Sequence, residues 1–371
     1  MADEDLLLMI PGPIQPEDEV LHAMGLPVRA HYGPGFTRLY NETVSVLRQV
    51  FGTRHDVFVM VASGSGGLEA CLGSTFASGE KILLGVNGFF GERLKSIAES
   101  FNLEVMVVPE EWGKPFSPED FDAMLQAYPD ARGVAVVHLE TSTTVINPIE
   151  EIGKIVRRHG KIFLVDAVSS LGGLPLKMDE WGIDLCASST QKCLGAPPGL
   201  SPVAVSPRAW AAIDGNPHKG HGWYLNLATW RQYAHDWAEW HPFPITMATS
   251  NLVALKTSLD GLIREGIQAR MERYQGLAIR LRRGLRDTGF EPYTPDEAMC
   301  PVLTAAYGVR DIPTSQLITY LAEEHHIKIA GGLGALKDRI FRIGHMSPTV
   351  TEVEIDRVVS ALGKYKSQFS A

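Results

Sequence analysis

The sequence predicts an α/β fold built around a doubly wound sheet. Two observations carry this expectation. Short runs rich in Val, Ile and Leu recur from Asp56 to about residue 205, apolar on both faces as strands buried between helix layers must be. Stretches with helical spacing separate these runs, the alternation expected of parallel strands joined by crossover helices. At 371 residues the chain exceeds what one simple core accommodates and suits two unequal domains.

Taken in order, residues 1–15 read as an extended lead-in, because Pro11, Pro13 and Pro16 forbid a helix there. A large domain is expected over 16–255. It opens with an amphipathic helix from Phe36 to Phe51, whose Leu39, Val46, Leu47 and Val50 recur at helical spacing before a stop at Gly52. Candidate strands follow at Asp56–Ala62, Lys81–Val86, Leu103–Val108, Gly133–His138, Ile162–Asp166 and Leu185–Ser188. Helices are expected between them at Phe90–Phe101, Pro118–Tyr128 and Glu150–His159. Asn216–His241 holds four of the seven tryptophans and reads as an irregular aromatic segment at an interface. Ser250–Phe290 reads as two helices, the first a long one. A small α+β domain is expected over 256–371, with strands near Val302–Ala306, Ile327–Ala330 and Arg339–Ile343 and a last helix at Thr351–Lys364.

Composition excludes several functions. The net charge is -9 and no long basic run occurs, so nucleic acid is not an expected partner. The start is acidic, the apolar run Leu6–Ile10 ends at Pro11, and no segment nears the ~20 apolar residues that span a bilayer; a cytosolic protein without a membrane partner is expected. Cys71, Cys186, Cys193 and Cys300 form no CxxC pair, and no HExxH occurs. Neither a disulfide framework nor a metal site is expected, and His325–His326 and His218 with His221 read as packed or solvated.

Four stretches carry chemistry. Ser63-Gly64-Ser65-Gly66-Gly67-Leu68-Glu69-Ala70 follows a strand and opens a helix, where free N–H groups and the helix dipole favour a phosphate. Glu69 stands where a dinucleotide fingerprint needs its third glycine, and a plain glycine-rich turn is an equal reading. Asp166 ends a strand at the sheet edge where such folds place ligands; taken by itself it reads first as the cap of the next turn, and it also suits a pyridinium N–H. Lys192 lies just past the next strand, held by a turn containing Gly195, Pro197 and Pro198. Desolvation there would make its amine a nucleophile, whereas a lysine in an ordinary loop is solvated. Arg342 sits in a late apolar strand, able to pair a carboxylate through two parallel bonds or to line a sheet edge.

Together these residues resemble class V aminotransferases of pyridoxal-phosphate (PLP) fold type I, and within them the alanine/serine–glyoxylate (serine–pyruvate) group. The resemblance runs from Pro11-Gly12-Pro13 to Arg342-Ile343-Gly344 and includes Asn87-Gly88, Val165-Asp166-Ala167-Val168-Ser169-Ser170-Leu171-Gly172-Gly173, Gln191-Lys192, Ala196-Pro197-Pro198-Gly199 and Gly331-Gly332-Leu333-Gly334. It implies a large domain with a mostly parallel seven-stranded sheet sandwiched by helices, and a smaller α+β C-terminal domain. It also implies PLP carried on Lys192, which shuttles the proton, with Asp166 pairing the ring nitrogen. Ser65, Gly66, Gly67 and Gln191 would hold the phosphate, Thr141 the ring hydroxyl, Phe90 the ring face and Arg342 the substrate's α-carboxylate. Thr246 would reach the phosphate from the neighbouring subunit of a homodimer. The implied reaction passes the amino group of alanine or serine to a 2-oxo acid such as glyoxylate or pyruvate.

The sequence departs from many members at His31-Tyr32, where they have His-Arg. It is similar also to pyridoxamine–pyruvate aminotransferase, which has a glutamate where this chain has Ser63 and a second arginine where it has Leu333. A PLP lyase or cysteine desulfurase of the same fold needs a mobile nucleophilic cysteine, and only Cys300, beside Pro301 and an apolar run, lies late in the chain. A binding protein without catalysis has no need of Lys192 and Asp166 together.

Overall fold

The computed structural model describes residues 6–216 and 222–369; His218 and His221 lie outside the described residues. Seven strands form the large sheet: β1 Asp56–Val61, β2 Lys81–Val86, β3 Glu104–Pro109, β4 Gly133–Val137, β5 Ile162–Asp166, β6 Leu185–Ala187 and β7 Leu200–Val205. Their order is β1-β7-β6-β5-β4-β2-β3, and β7 alone runs antiparallel to its neighbours. Every residue of β4, β6 and β7 is buried, which explains why these strands read apolar on both faces.

The first long helix, Pro34–Phe51, ends on Gly52 at φ 64°, the left-handed conformation that glycine adopts without Cβ strain. Further helices, Gly64–Thr75, Phe89–Ser100, Pro118–Ala127 and Ile149–Arg158, cover the sheet as the periodicity predicts. No helix among the described residues is long and apolar enough to cross a membrane.

The aromatic stretch departs from expectation. Leu227–Asp236 is a helix, opened by the Asn226 side chain, which accepts from Ala228 N at 3.0 Å. Leu227 and Trp230, three apart, form its buried face, while Trp223, Trp237 and Trp240 are 51%, 36% and 47% exposed. Clustered tryptophans hid an ordinary helical period. Thr249–Glu265 and Ile267–Asp287 are the two expected helices, but the second is the longer; they part at Gly266, whose φ of 91° breaks the helix.

A second core gathers on Ile267–Asp287, the three-stranded sheet of Leu303–Tyr307, Ala330–Gly331 and Ile340–Gly344, and the last helix Glu352–Phe369. Helix Thr314–His325 joins them, unforeseen in the sequence. The expected strand at Ile327–Ala330 divides: Ile327–Lys328 pairs in parallel with Leu7–Leu8, whereas Ala330–Gly331 joins the three-stranded sheet. The lead-in is therefore built into the fold. Gly344 N donates to Met9 O at 2.9 Å, Ser347 Oγ to Gln15 O at 2.6 Å, and Ile14 N to Gln191 O at 3.1 Å.

Candidate active site

The glycine loop, the Asp166 turn and the Lys192 turn converge at the carboxyl edge of the large sheet. Gly64, first residue of its helix, packs so closely that a methyl group there would lie 2.5 Å from Val168 Cγ2 and 3.3 Å from Ser189 Cβ. Ser63 caps the helix without a side-chain hydrogen bond, and no acidic residue occupies the first turn. Its leading N–H groups thus face the Asp166 and Lys192 turns with no negative charge of their own.

Asp166 is the last residue of β5 and 6% exposed. One carboxylate oxygen accepts from Val168 N at 2.8 Å. Burial pushes its carboxyl up to about 6, and the charge of Glu140 acts in the same direction, against the Val168 bond and the cations Lys192 and Arg93. A carboxyl so raised gains by meeting a positive hydrogen-bond donor.

Lys192 sits on the turn after β6, and its Nζ donates to Pro11 O. Burial pulls the ammonium down to about 8. Gly12 is needed opposite it: its φ is 109°, and a Cβ would stand 2.6 Å from Lys192 Cδ. The turn itself is tied on all sides. Thr190 Oγ1 donates to Pro197 O at 2.6 Å, Cys193 Sγ to Ser169 O at 3.3 Å, and Ser188 Oγ to Ala167 O at 3.1 Å. Lys192 and Asp166 are therefore held on cross-linked turns rather than on free loops.

Arg342, 5% exposed, comes from the small sheet. Its Nε donates to Gly331 O at 2.8 Å and its Nη1 to Thr141 O at 3.0 Å, so the guanidinium ties the small sheet to the segment that follows Leu139–Glu140. Burial pulls it down to about 10, leaving it charged at neutral pH. The Thr141 hydroxyl meets Ser169 Oγ at 2.7 Å. Phe90, in the first turn of Phe89–Ser100, lies under the Arg93 guanidinium at 4.9 Å from its ring centroid.

Gln191 Oε1, Ser170 Oγ and Ser189 Oγ are buried without a hydrogen-bond partner among the described residues. Unpaired polar atoms beside an uncapped helix start are what a bound polar group would satisfy. Ser65, Gly66 and Gly67 lie in that first helical turn. Thr246 stands apart, exposed on the approach to Thr249–Glu265, with no side-chain hydrogen bond among the described residues. His31 and Tyr32 pack on Trp240, His241 and Phe243, with His31 Nδ1 and His241 Nε2 2.9 Å apart.

Three participants escape the sequence reading: the Pro11 carbonyl, Arg93, and above all Glu140, which is wholly buried and bonded to the start of the Phe90 helix. Only the Leu-Glu-Thr-Ser run after a buried strand hints at Glu140, and it matches no general motif. The residues present fit PLP. The uncapped helix start and unpaired hydroxyls suit its phosphate, Asp166 its ring nitrogen, Phe90 its ring face and the Lys192 amine its aldehyde.

Comparison with known proteins gives the family. The family model described as Aminotransferase class-V matches residues 17–358. An uncharacterized aminotransferase of Methanocaldococcus jannaschii is 38% identical over 92% of this chain and 87% of its own length. A protein of Synechococcus sp. named soluble hydrogenase, small subunit, is 33% identical over 96% of this chain and 91% of its own. The crystal structure of alanine–glyoxylate aminotransferase from Nostoc sp. superposes with a TM-score of 0.93 at 31% identity, covering 97% of this chain and 94% of that one. The chain belongs to the class-V aminotransferases, PLP-dependent enzymes of fold type I.

Proposed function

We propose that this aminotransferase passes the amino group of a small amino acid, alanine or serine, to a 2-oxo acid such as glyoxylate or pyruvate. The observation that carries the reading is the gathering of Lys192, Asp166 and Arg342 at one sheet edge, with the lysine amine desolvated and the arginine fixed by two carbonyls. PLP, when bound, supplies the electron sink that makes loss of the α-proton feasible. The remaining work belongs to the chain.

Arg342 binds the α-carboxylate and so fixes which bond at the α-carbon faces Lys192. The Lys192 Nζ, neutral for a large part of the time near pH 8, takes that proton and returns it. Asp166 would pair with the ring N–H, Ser65, Gly66, Gly67 and Gln191 would hold the phosphate, Phe90 would cover a ring face and Thr141 would meet the ring hydroxyl. The small substrate follows the name of the Nostoc relative, and Ser63 and Leu333 favour it over free pyridoxamine. The reading follows the lysine–carboxylate–arginine set and not the hydrogenase name.

A homodimer is part of the proposal. Thr246 is exposed in the single chain, and Tyr32, Trp237 and Trp240 expose large aromatic surface. Large exposed aromatics suit a subunit interface, and Thr246 would then serve the partner's phosphate site.

The test is the visible absorbance of the purified protein with PLP as L-alanine or L-serine, then glyoxylate or pyruvate, is added. Bleaching by the amino acid and recovery with the oxo acid are expected. A band that no small amino acid alters would overturn the substrate assignment.

A further inference from the structure

We propose that Glu140 is a positioning residue for this reaction: a buried carboxylate that sets the Phe90 wall and steadies Arg342 through the adjoining Thr141. The proposal rests on the site assignment above, and goes beyond it to a residue that no part of that assignment uses.

Glu140 ends the short strand Leu139–Glu140 and has no exposed surface. Its Oε2 accepts from Gly91 N at 2.9 Å and Phe90 N at 3.1 Å; its Oε1 accepts from Ser142 N at 3.0 Å and Ser142 Oγ at 2.6 Å. Ser142 Oγ in turn accepts from Phe89 N at 2.9 Å. The first three N–H groups of helix Phe89–Ser100 are thereby all satisfied from outside the helix. The residue that would normally cap them, Gly88, has no side chain to do so.

Gly88 is held to glycine by space. Its φ of 176° is extended backbone open to any residue, but a Cβ would lie 2.3 Å from Glu140 Cγ. Backbone and carboxylate have been brought to the closest approach that packing allows. Each near group around the carboxylate donates to it, so the ionised form is the one the geometry serves, favoured further by the helix dipole. Burial pushes the carboxyl up from its usual range, against the bonds from Ser142, Gly91 and Phe90, which hold the shift back.

Three walls meet at this point. Phe90 is bonded directly. Thr141, next in sequence, accepts from Arg342 at its carbonyl, and its hydroxyl pairs with that of Ser169, three residues past Asp166. The charged groups facing the site are Asp166, Lys192, Arg342 and Arg93; the Glu140 charge raises Asp166 and supports Arg342 as a cation. A mere helix cap would need none of these connections.

The experiment compares wild type, Glu140→Gln and Glu140→Asp. Purified apoprotein is titrated with PLP and followed by visible absorbance across pH, with far-ultraviolet circular dichroism as a check on folding and steady-state kinetics for the amino donor. Glu140→Gln keeps the shape, removes the charge and turns an amide toward N–H donors. Its cofactor dissociation constant is expected to rise roughly tenfold or more, the loss of one charged hydrogen-bonding group. The pH midpoint of the bound cofactor's band should fall by roughly half a unit or more, because a buried negative charge no longer favours nearby protons. KM for the amino donor should rise with Arg342 unsteadied, and Glu140→Asp should recover part of the midpoint. A Glu140→Gln protein with wild-type midpoint and KM, whatever its melting temperature, overturns the proposal. If that variant does not fold, Gly88→Ala displaces the carboxylate with its charge kept; unchanged cofactor affinity and KM there overturn the proposal equally. A wild-type protein that forms no band with PLP would instead bring down the site assignment and this proposal with it.

Discussion

Replacing Arg342 by lysine keeps a positive charge and removes the fork. In the native site, carbonyls of Gly331 and Thr141 take one N–H each from Nε and Nη1, fixing the guanidinium plane. The Nη2 group makes no hydrogen bond among the described residues and remains for a substrate carboxylate. A lysine ammonium cannot serve two carbonyls on separate segments and also present two parallel donors. Losing one of two charge-assisted bonds costs about 2 kcal/mol, roughly a 30-fold drop in kcat/KM for the donor. Alanine removes the whole pair, about 2–5 kcal/mol or roughly 30- to 5000-fold. It also strands two carbonyls, so the melting temperature should fall. The assay is the first half-reaction alone, bleaching of the visible band at rising amino acid concentration, which separates donor binding from product release. Because the guanidinium is pulled down to about 10, its charge is lost as pH rises through that value, and KM for the donor should climb there. If Arg342→Lys lowers the melting temperature but leaves the half-saturating donor concentration unchanged, Arg342 is only a structural tie, and another group binds the carboxylate.

Two further outcomes follow from burial. The Lys192 ammonium is lowered to about 8, so its neutral fraction grows as pH rises through that value. Uptake of PLP by apoprotein should therefore quicken from pH 6.5 to 8.5, and Lys192→Ala should abolish turnover with the fold intact; pH-independent uptake or an active variant would contradict this. Asp166 is raised to about 6 from a usual 3.8, so the folded apoprotein holds a proton that the unfolded chain has released between those values. Stability contributed by the protonated form is lost as pH climbs through that window, and at pH 8 Asp166→Asn should make the apoprotein more stable by about 1–3 kcal/mol while abolishing turnover. Urea melts of both apoproteins at pH 8 check the sign; a less stable variant would refute it.

The parallel strands were legible because burial on both faces leaves unbroken apolar runs, as in Gly133–Val137 and Ile162–Asp166. Strand β7 was not, since Leu-Ser-Pro-Val-Ala-Val places a proline, which lacks a donor, between two neighbouring strands. Strand order placed Asp166 and Lys192 at the ends of consecutive runs but left a turn cap and a solvated lysine open; their roles came through resemblance. Phe90, Thr141 and Thr246 came only through resemblance, because an aromatic or a threonine after a strand carries no intrinsic chemical signature. Glu140 escaped both routes: its partners Gly91 and Phe90 are some fifty residues earlier, and they bond through backbone, which leaves no trace in side-chain pattern.

The lead-in strand has a temporal consequence. Leu7–Gln15 emerges long before most of its partners: Ile14 waits for Gln191, and the rest for Ile327–Lys328, Gly344 and Ser347, the Ser347–Gln15 bond spanning 332 positions. At about 5–20 residues per second, roughly 20–60 s separate them. Through that interval Pro11 and Gly12 lack the small-sheet holds at Leu7–Met9, so a nascent chain can complete its large sheet long before it owns a finished lysine pocket.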